Sequence, residues 1–273
     1  MMQVASRESL AVAQESLKAT AEQADANGLT VTAQEMLSVG RLLDREVVLR
    51  RSLSDPAAAE SVRLALLDAV VGQQLSTPTT ELLRTVVAAR WSSAADLSDA
   101  LELLAVQALL LAAQRDGALT DVEDELFRFL RVFAGDHSLQ AALGDSTADI
   151  ERRHQLVTDL LGGKAQPVTE TLVKLAVVGL GGRGFEASLE RLVELAAQQR
   201  DREVAYVTVP VPLTSEQEQR LEAALTRIYG RQMSLLIVVD PALLGGMTVR
   251  VGQELYDGSV SRRLDQVRSA LAS

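Results

Sequence analysis

The chain has 273 residues, 47% of them hydrophobic but only 3% aromatic, with no cysteine, two histidines and a formal charge of −10. Such acidity cannot offset phosphate repulsion, which excludes nucleic-acid binding as the main activity. The missing cysteines exclude disulfides, thiolate nucleophiles and Cys-bearing zinc sites, and His137 and His154 alone exclude a His-rich metal site. An apolar fraction made mostly of Leu, Ala and Val favours packed helices over a β-sandwich.

The first residues, Met1 to Glu8, have no basic region leading into an apolar stretch, so no secretory signal is expected. Helical apolar spacing then runs to about residue 202. Thr30 and Thr120 stand where N-caps are expected, Thr120 forming a capping box with Glu123. Asp55-Pro56 and Thr77-Pro78 read as caps followed by proline at the first helical position. Gly72 and Gly162 end helices, and Val122, Leu126, Phe129, Leu130 and Phe133 make one apolar stripe. The longest apolar run, Leu103–Ala113, is interrupted by Gln107 and closed by Arg115-Asp116. A membrane span needs about 20 such residues, so no direct membrane insertion is expected. Trp91 reads as packing, His137 and His154 as surface or helix-end residues, and Asp124-Glu125 as a solvated face.

These signals recur because the helical part is duplicated. An ungapped self-match at an offset of 90 residues has 14 identities over positions 29–87. Leu29-Thr30 falls on Leu119-Thr120, Glu35 on Glu125, Arg41 on Arg131, Asp55 on Asp145, Arg63 on Arg153, Gly72 on Gly162 and Thr79 on Thr169. The expectation is a mainly α fold: two tandem helical bundles, residues 1–95 and 96–202, followed by a small α/β domain with a mixed sheet, residues 203–273. Charge changes at the same boundary. The tail from Val204 carries seven acids and seven bases, so the whole −10 lies before it. An acidic helical part could attract a basic partner or serve only as a soluble surface.

Gly179-Leu180-Gly181-Gly182-Arg183-Gly184 matches G-x-G-x-x-G, which in a dinucleotide site supplies the tight turn and the close pyrophosphate approach. The duplication aligns the preceding apolar run with Leu82–Ala88, a helical stretch, and too few strands follow for a doubly wound sheet. A loop between two helices is the preferred reading; a nucleotide-binding oxidoreductase using this glycine loop is the alternative. No nucleophile elbow or phosphate-binding loop of the Walker type is present.

Beyond residue 203, Val204–Val209 reads as a β-branched strand, and Thr214 with Gln217 as a capping box opening a helix that Gly230 stops near Tyr229. Ser234–Val239 is continuously apolar and reads as a central strand covered on both faces. Met247–Val251 and Glu254–Asp257 read as short strands about a Gly252-Gln253 turn, and Asp257-Gly258-Ser259 as the cap of a last helix with Val260, Leu264, Val267 and Leu271 on one face.

At these residues the chain resembles the delta subunit family of the bacterial proton-translocating ATP synthase, which includes the mitochondrial oligomycin-sensitivity-conferring protein. The resemblance rests on Val207–Gln217, on Asp240-Pro241-Ala242-Leu243-Leu244-Gly245-Gly246 running on to Gly252, and on Asp257-Gly258-Ser259-Val260 through Leu264. The stretches Arg41-Leu42-Leu43 and Leu49–Pro56 resemble the family's helical domain. The chain departs in length, being about 90 residues longer than ordinary members, which matches the duplication and looks like an actinobacterial long form.

The resemblance implies a non-catalytic stator subunit without cofactor or metal. It would sit peripherally at the cytoplasmic face of the bacterial membrane and join the alpha–beta catalytic head to the b-type peripheral stalk. It further implies that a helical bundle holds N-terminal helices of alpha subunits in grooves between its first and fifth helices, with Leu10 and Leu17 as groove residues. The segment Met247–Leu271, with Leu264 and Leu271, would then take the stalk. Asp240, Pro241, Leu244, Gly245, Gly246, Gly252, Asp257, Gly258 and Ser259 form the family signature, serving turns and caps rather than direct contact. A free-standing helical adaptor is a third reading.

Overall fold

A computed structural model describes residues 3–72, 74–200, 202–230, 232–243, 245–251 and 254–258. The expected last helix, with Val260, Leu264, Val267 and Leu271, lies outside them, as do Leu244, Gly252 and Ser259. Among the described residues eleven α-helices come first: α1 (Val4–Gln23), α2 (Ala26–Arg45), α3 (Val47–Ser54), α4 (Glu60–Val71), α5 (Thr77–Ala88), α6 (Ala94–Arg115), α7 (Leu119–Gly135), α8 (His137–Gly144), α9 (Ile150–Leu161), α10 (Pro167–Val178) and α11 (Phe185–Gln199). β1 (Arg202–Val209), α12 (Ser215–Tyr229), β2 (Gln232–Val239), β3 (Thr248–Val251) and β4 (Glu254–Asp257) follow. The mainly α class with a small mixed sheet near the end is the expected one.

The duplication is visible in the element bounds. α3, α4 and α5 reappear as α8, α9 and α10 with every boundary displaced by 90 residues, and α6 starts 90 residues after α1. Packing repeats as well: α4 against α5 is matched by α9 against α10, and α1 against α5 by α6 against α10. Helix α6 also packs on α1, α2 and α3, so it closes the first set of helices while standing at the head of the second. That double use explains why Leu97, Leu101, Leu104, Ala105, Leu109 and Ala112 are all buried, on more than one face. The expected cut at residue 95 therefore falls just before a helix that the first set needs. Contacts divide the chain into two compact units: residues up to Val122 together with Ser138–Leu192, and Glu123–His137 together with Val193 onward. These units do not coincide with the sequence copies, since most of α7 groups with the sheet.

Local chemistry sets the helix ends. Asp25, not Thr30, caps α2, its side chain accepting from the Gly28 amide at 2.7 Å. Thr30 lies one turn inside and donates to the Ala26 carbonyl at 2.9 Å. Thr120 also lies inside its helix, and Glu123 is buried in other contacts, so the expected box there does not form. Asp55 accepts from the Ala57 amide at 2.9 Å in a turn after α3, and α4 begins only at Glu60, so Pro56 belongs to the turn rather than to a helix start. Asp145 repeats this turn with Thr147 at 2.9 Å. Ser76, not Thr77, is the N-cap of α5, so Pro78 is the second helical residue, still in the first turn; the Ser76 amide is received by the Glu35 carboxylate at 3.0 Å. Gly72, at φ +49°, ends α4 as expected.

In the second unit the sheet order is β2-β1-β3-β4, with β1 parallel to β2 and antiparallel to β3. Among the described residues β1 and β3 are the inner strands and β2 is an edge strand, a correction to the sequence reading. Coverage on two faces does hold. Met233, Leu235 and Ile237 join Ala205, Val207 and Val209 in a core closed by Leu221, Leu225 and Tyr229 of α12. On the opposite face Ser234 donates to Glu123 of α7 at 3.2 Å, and Leu236 is buried. An apolar run records covered faces, not the number of neighbouring strands.

Candidate functional site

The described part of the expected signature lies in turns at one end of the sheet. Asp240 follows β2; its amide donates to the Val209 carbonyl at 2.8 Å and its carboxylate receives the Ala242 amide at 2.9 Å. Pro241 sits inside this turn, and the Leu243 amide returns to the Asp240 carbonyl at 3.1 Å. Gly246 takes φ +81°, a backbone state that side chains with a Cβ rarely adopt. The Gly258 amide closes onto the Met247 carbonyl at 3.0 Å, next to Asp257 at the end of β4. A Cβ on Gly258 would come 3.2 Å from that same carbonyl, so the closure leaves little room for a side chain. Asp240, Pro241, Gly245, Gly246, Asp257 and Gly258 thus lie near the chain reversals that join β2 to β3 and finish the hairpin.

The two expected groove leucines separate. Leu17 is only 1% exposed and is spent in the core of its own helices, whereas Leu10 stays half-buried on α1. The outward apolar residues of α1 are Val4 and Val12, at 61% and 58% exposure. Sequence periodicity missed both, because the stripe they share also carries Glu8, Glu15 and Lys18. Val48 of α3 is more open still, at 78%.

At the glycine-rich segment, α10 ends at Val178, a 3₁₀ turn covers Leu180–Gly182, and α11 follows. No strand precedes it, unlike a dinucleotide loop. Four of its amides are already committed: Gly181 donates to the Glu102 carboxylate at 2.8 Å, Leu180 to the Ser188 hydroxyl at 2.9 Å, Gly179 to the Leu175 carbonyl at 3.1 Å and Arg183 to the Leu180 carbonyl at 3.1 Å. Asp99 stands beside the same turn. Burial first, and the neighbouring Asp96 next, hold the Asp99 carboxyl above its ordinary range; burial likewise raises Glu102, against the Gly181 bond. A pyrophosphate would meet carboxylates where it needs free amides. Elsewhere, Trp91 is buried with its indole N–H donating to the Val86 carbonyl at 2.8 Å. His154 meets the Lys174 carbonyl at 3.2 Å. Among the described residues no group of three or more metal-ligating side chains gathers, and no helix is long and apolar enough to cross a membrane.

A family model described as ATP synthase delta (OSCP) subunit matches residues 106–271. The ATP synthase subunit delta of Salinispora arenicola is 50% identical over 272 residues, 100% of this chain and 99% of its own. That of Streptomyces avermitilis is 50% identical over 98% of both chains, and that of Frankia alni 43% identical over 99% of both. The chain belongs to the ATP synthase delta (OSCP) subunit family.

The delta family match begins inside α6 and takes in the second set of helices and the sheet, leaving the first set outside it. The relatives nevertheless align over both sets, so the doubled length is shared with the delta subunits of Salinispora arenicola, Streptomyces avermitilis and Frankia alni. Membership also accounts for the glycine segment without a nucleotide. It is the turn between α10 and α11, held by Glu102 and Ser188, and the oxidoreductase alternative has no support.

Proposed function

We propose that this chain is the non-catalytic stator subunit of a proton-translocating ATP synthase, joining the catalytic head of alpha and beta subunits to the b-type peripheral stalk. The observation that carries the reading is end-to-end identity of about half with delta subunits, combined with the family match over 106–271. The physical task is to keep the head from turning with the rotor, which asks for stiff packing and wide contact rather than bond chemistry. A helix shared between two sets of helices supports stiffness, because bending one set must disturb the close-packed core of the other.

The helical part takes N-terminal helices of alpha subunits, in the helix-in-groove mode. Val4 and Val12 supply exposed apolar contact on α1, with Leu10 at its flank, while Leu17 acts from below as core. The C-terminal module, with its segment 247–271, takes the stalk, and the Asp240–Gly246 turn fixes the sheet end from which that segment departs. Two bundles widen the gripping surface and raise effective affinity through multivalency. The complex then holds the chain peripherally at the cytoplasmic face of the bacterial membrane. A pull-down with the full chain tests this, using one peptide from the alpha N-terminus and one from the stalk C-terminus. Capture of both is expected; failure of both to bind the folded chain overturns the proposal.

A further inference from the structure

Helix α7, among the described residues, stays open on one face at Asp124, Arg128, Arg131 and Val132. Its inner residues Val122, Leu126, Phe129, Leu130 and Phe133 are buried. On the other side Asp124, Phe127, Arg128, Arg131 and Val132 line a concavity of roughly 480 Å³. Their spacing puts them on successive turns of one face. Val132 is 53% exposed, and Phe127 is half-buried. Neither Arg128 nor Arg131 has an ion-pair partner among the described residues.

The duplication supplies an internal control. The matching face of α2 carries Gln34, Leu37, Ser38, Arg41 and Leu42, and there Arg41 donates to the Ser38 hydroxyl at 2.9 Å. In the second copy Arg128 replaces that serine, so two cations stand one turn apart around an aromatic and a valine. Like charges at this spacing repel. In a chain of net charge −10 this is a local reversal of sign. An unpaired cationic pair flanking exposed apolar surface is complementary to carboxylates beside an apolar ridge.

We propose that the outer face of α7 is a docking site for an acidic amphipathic helix of a partner protein. The ridge of that helix rests on Phe127 and Val132, and its carboxylates meet Arg128 and Arg131, in bidentate fashion where the geometry allows. Asp124 repels carboxylates at the other end of the face, which fixes where along α7 the acidic groups lie. Its residues belong neither to α1 nor to segment 247–271, so they are different residues from those of the two contacts proposed above.

The test uses the full chain and two labelled synthetic helices with the same leucine ridge, one flanked by glutamates and one by lysines. Fluorescence anisotropy is read at low and high ionic strength, and amide exchange maps the contact. Tight binding is expected for the glutamate helix alone, weakening with salt, with protection confined to 124–132. The double variant R128E/R131E, checked for unchanged helicity, should lose about tenfold in affinity together with the salt dependence. Arg41→Glu, at the matching place on α2, should change nothing. Binding of the glutamate helix to R128E/R131E as tightly as to the parent, protection elsewhere, or binding of neither helix overturns the proposal.

Discussion

Replacing Arg63 by Met should be among the most damaging single changes in the helical part. Arg63 is 4% exposed. Its guanidinium donates to three successive carbonyls at the end of α5: Val87 at 2.7 Å, Ala89 at 2.9 Å and Ala88 at 3.0 Å. These are the orphan acceptors of a helix C-terminus, where a positive charge also meets the negative end of the helix dipole. A bond from a charged donor contributes about 1.5–3 kcal/mol, and the three share one side chain, so they do not add. The Nε atom is buried without a partner, which offsets part of the gain. The net expectation is a loss of about 3–4 kcal/mol for Arg63→Met. Arg153 occupies the same place in the second copy but converges on a single carbonyl, that of Leu143, through Nε and Nη2. Arg153→Met should therefore cost about half as much. The single tryptophan, Trp91, is 3% exposed and bonded within the same unit, so its fluorescence during urea unfolding reports on both variants. Midpoints should fall in the order parent, Arg153→Met, Arg63→Met, with similar slopes. Equal midpoints for the two variants would refute the reasoning from acceptor number.

Three further outcomes follow from the same geometry. Burial raises the Glu102 carboxyl above its ordinary 4.5, so the folded state is favoured when it is protonated, and this contribution is lost as pH rises through the raised value. Glu102→Gln keeps an acceptor for the Gly181 amide and should raise the melting temperature at pH near 7, the gain vanishing below about pH 4; a lower melting temperature at neutral pH would contradict this. Gly179 sits at φ +101°, and a Cβ there would lie 2.5 Å from the Arg183 carbonyl, so Gly179→Ala should cost about 2 kcal/mol or more in urea unfolding. Gly184→Ala, with nothing near its Cβ, should cost less than about 1 kcal/mol. Glu123 is 5% exposed and receives both Arg200 and the Ser234 hydroxyl, so Glu123→Ala should strip about 3 kcal/mol from the second unit by leaving Arg200 unpaired. Amide exchange along β2 should quicken accordingly.

Local chemistry carried much of the architecture in readable form. Gly72 and Pro78 mark their helix ends, and Thr214 with Gln217 makes a full capping box, because such signals act within a few residues. The duplication was legible because α3–α5 and α8–α10 share boundaries without a gap. The double role of α6 was not, since a helix buried on more than one face has no single polar stripe. Its only trace was the apolar run Leu103–Ala113. Thr30 and Asp55 misled because a capping residue type also suits a helix interior or a turn. Arg63 and Arg153 went unassigned as buried caps although the repeat pairs them, since arginine is ordinarily an exposed residue. The Asp240–Gly246 turn was legible from its residue types, whereas the exposed Val4 and Val12 hid among charges on α1.

The measurement closest to the central claim is proton-driven ATP synthesis in inverted membrane vesicles stripped of this chain and then given it back. Stripped vesicles should lose synthesis while the released head still hydrolyses ATP, and the purified chain should restore synthesis in proportion to the amount rebound. Undiminished synthesis in vesicles shown to lack the chain would contradict the assignment of a gripping, torque-bearing role.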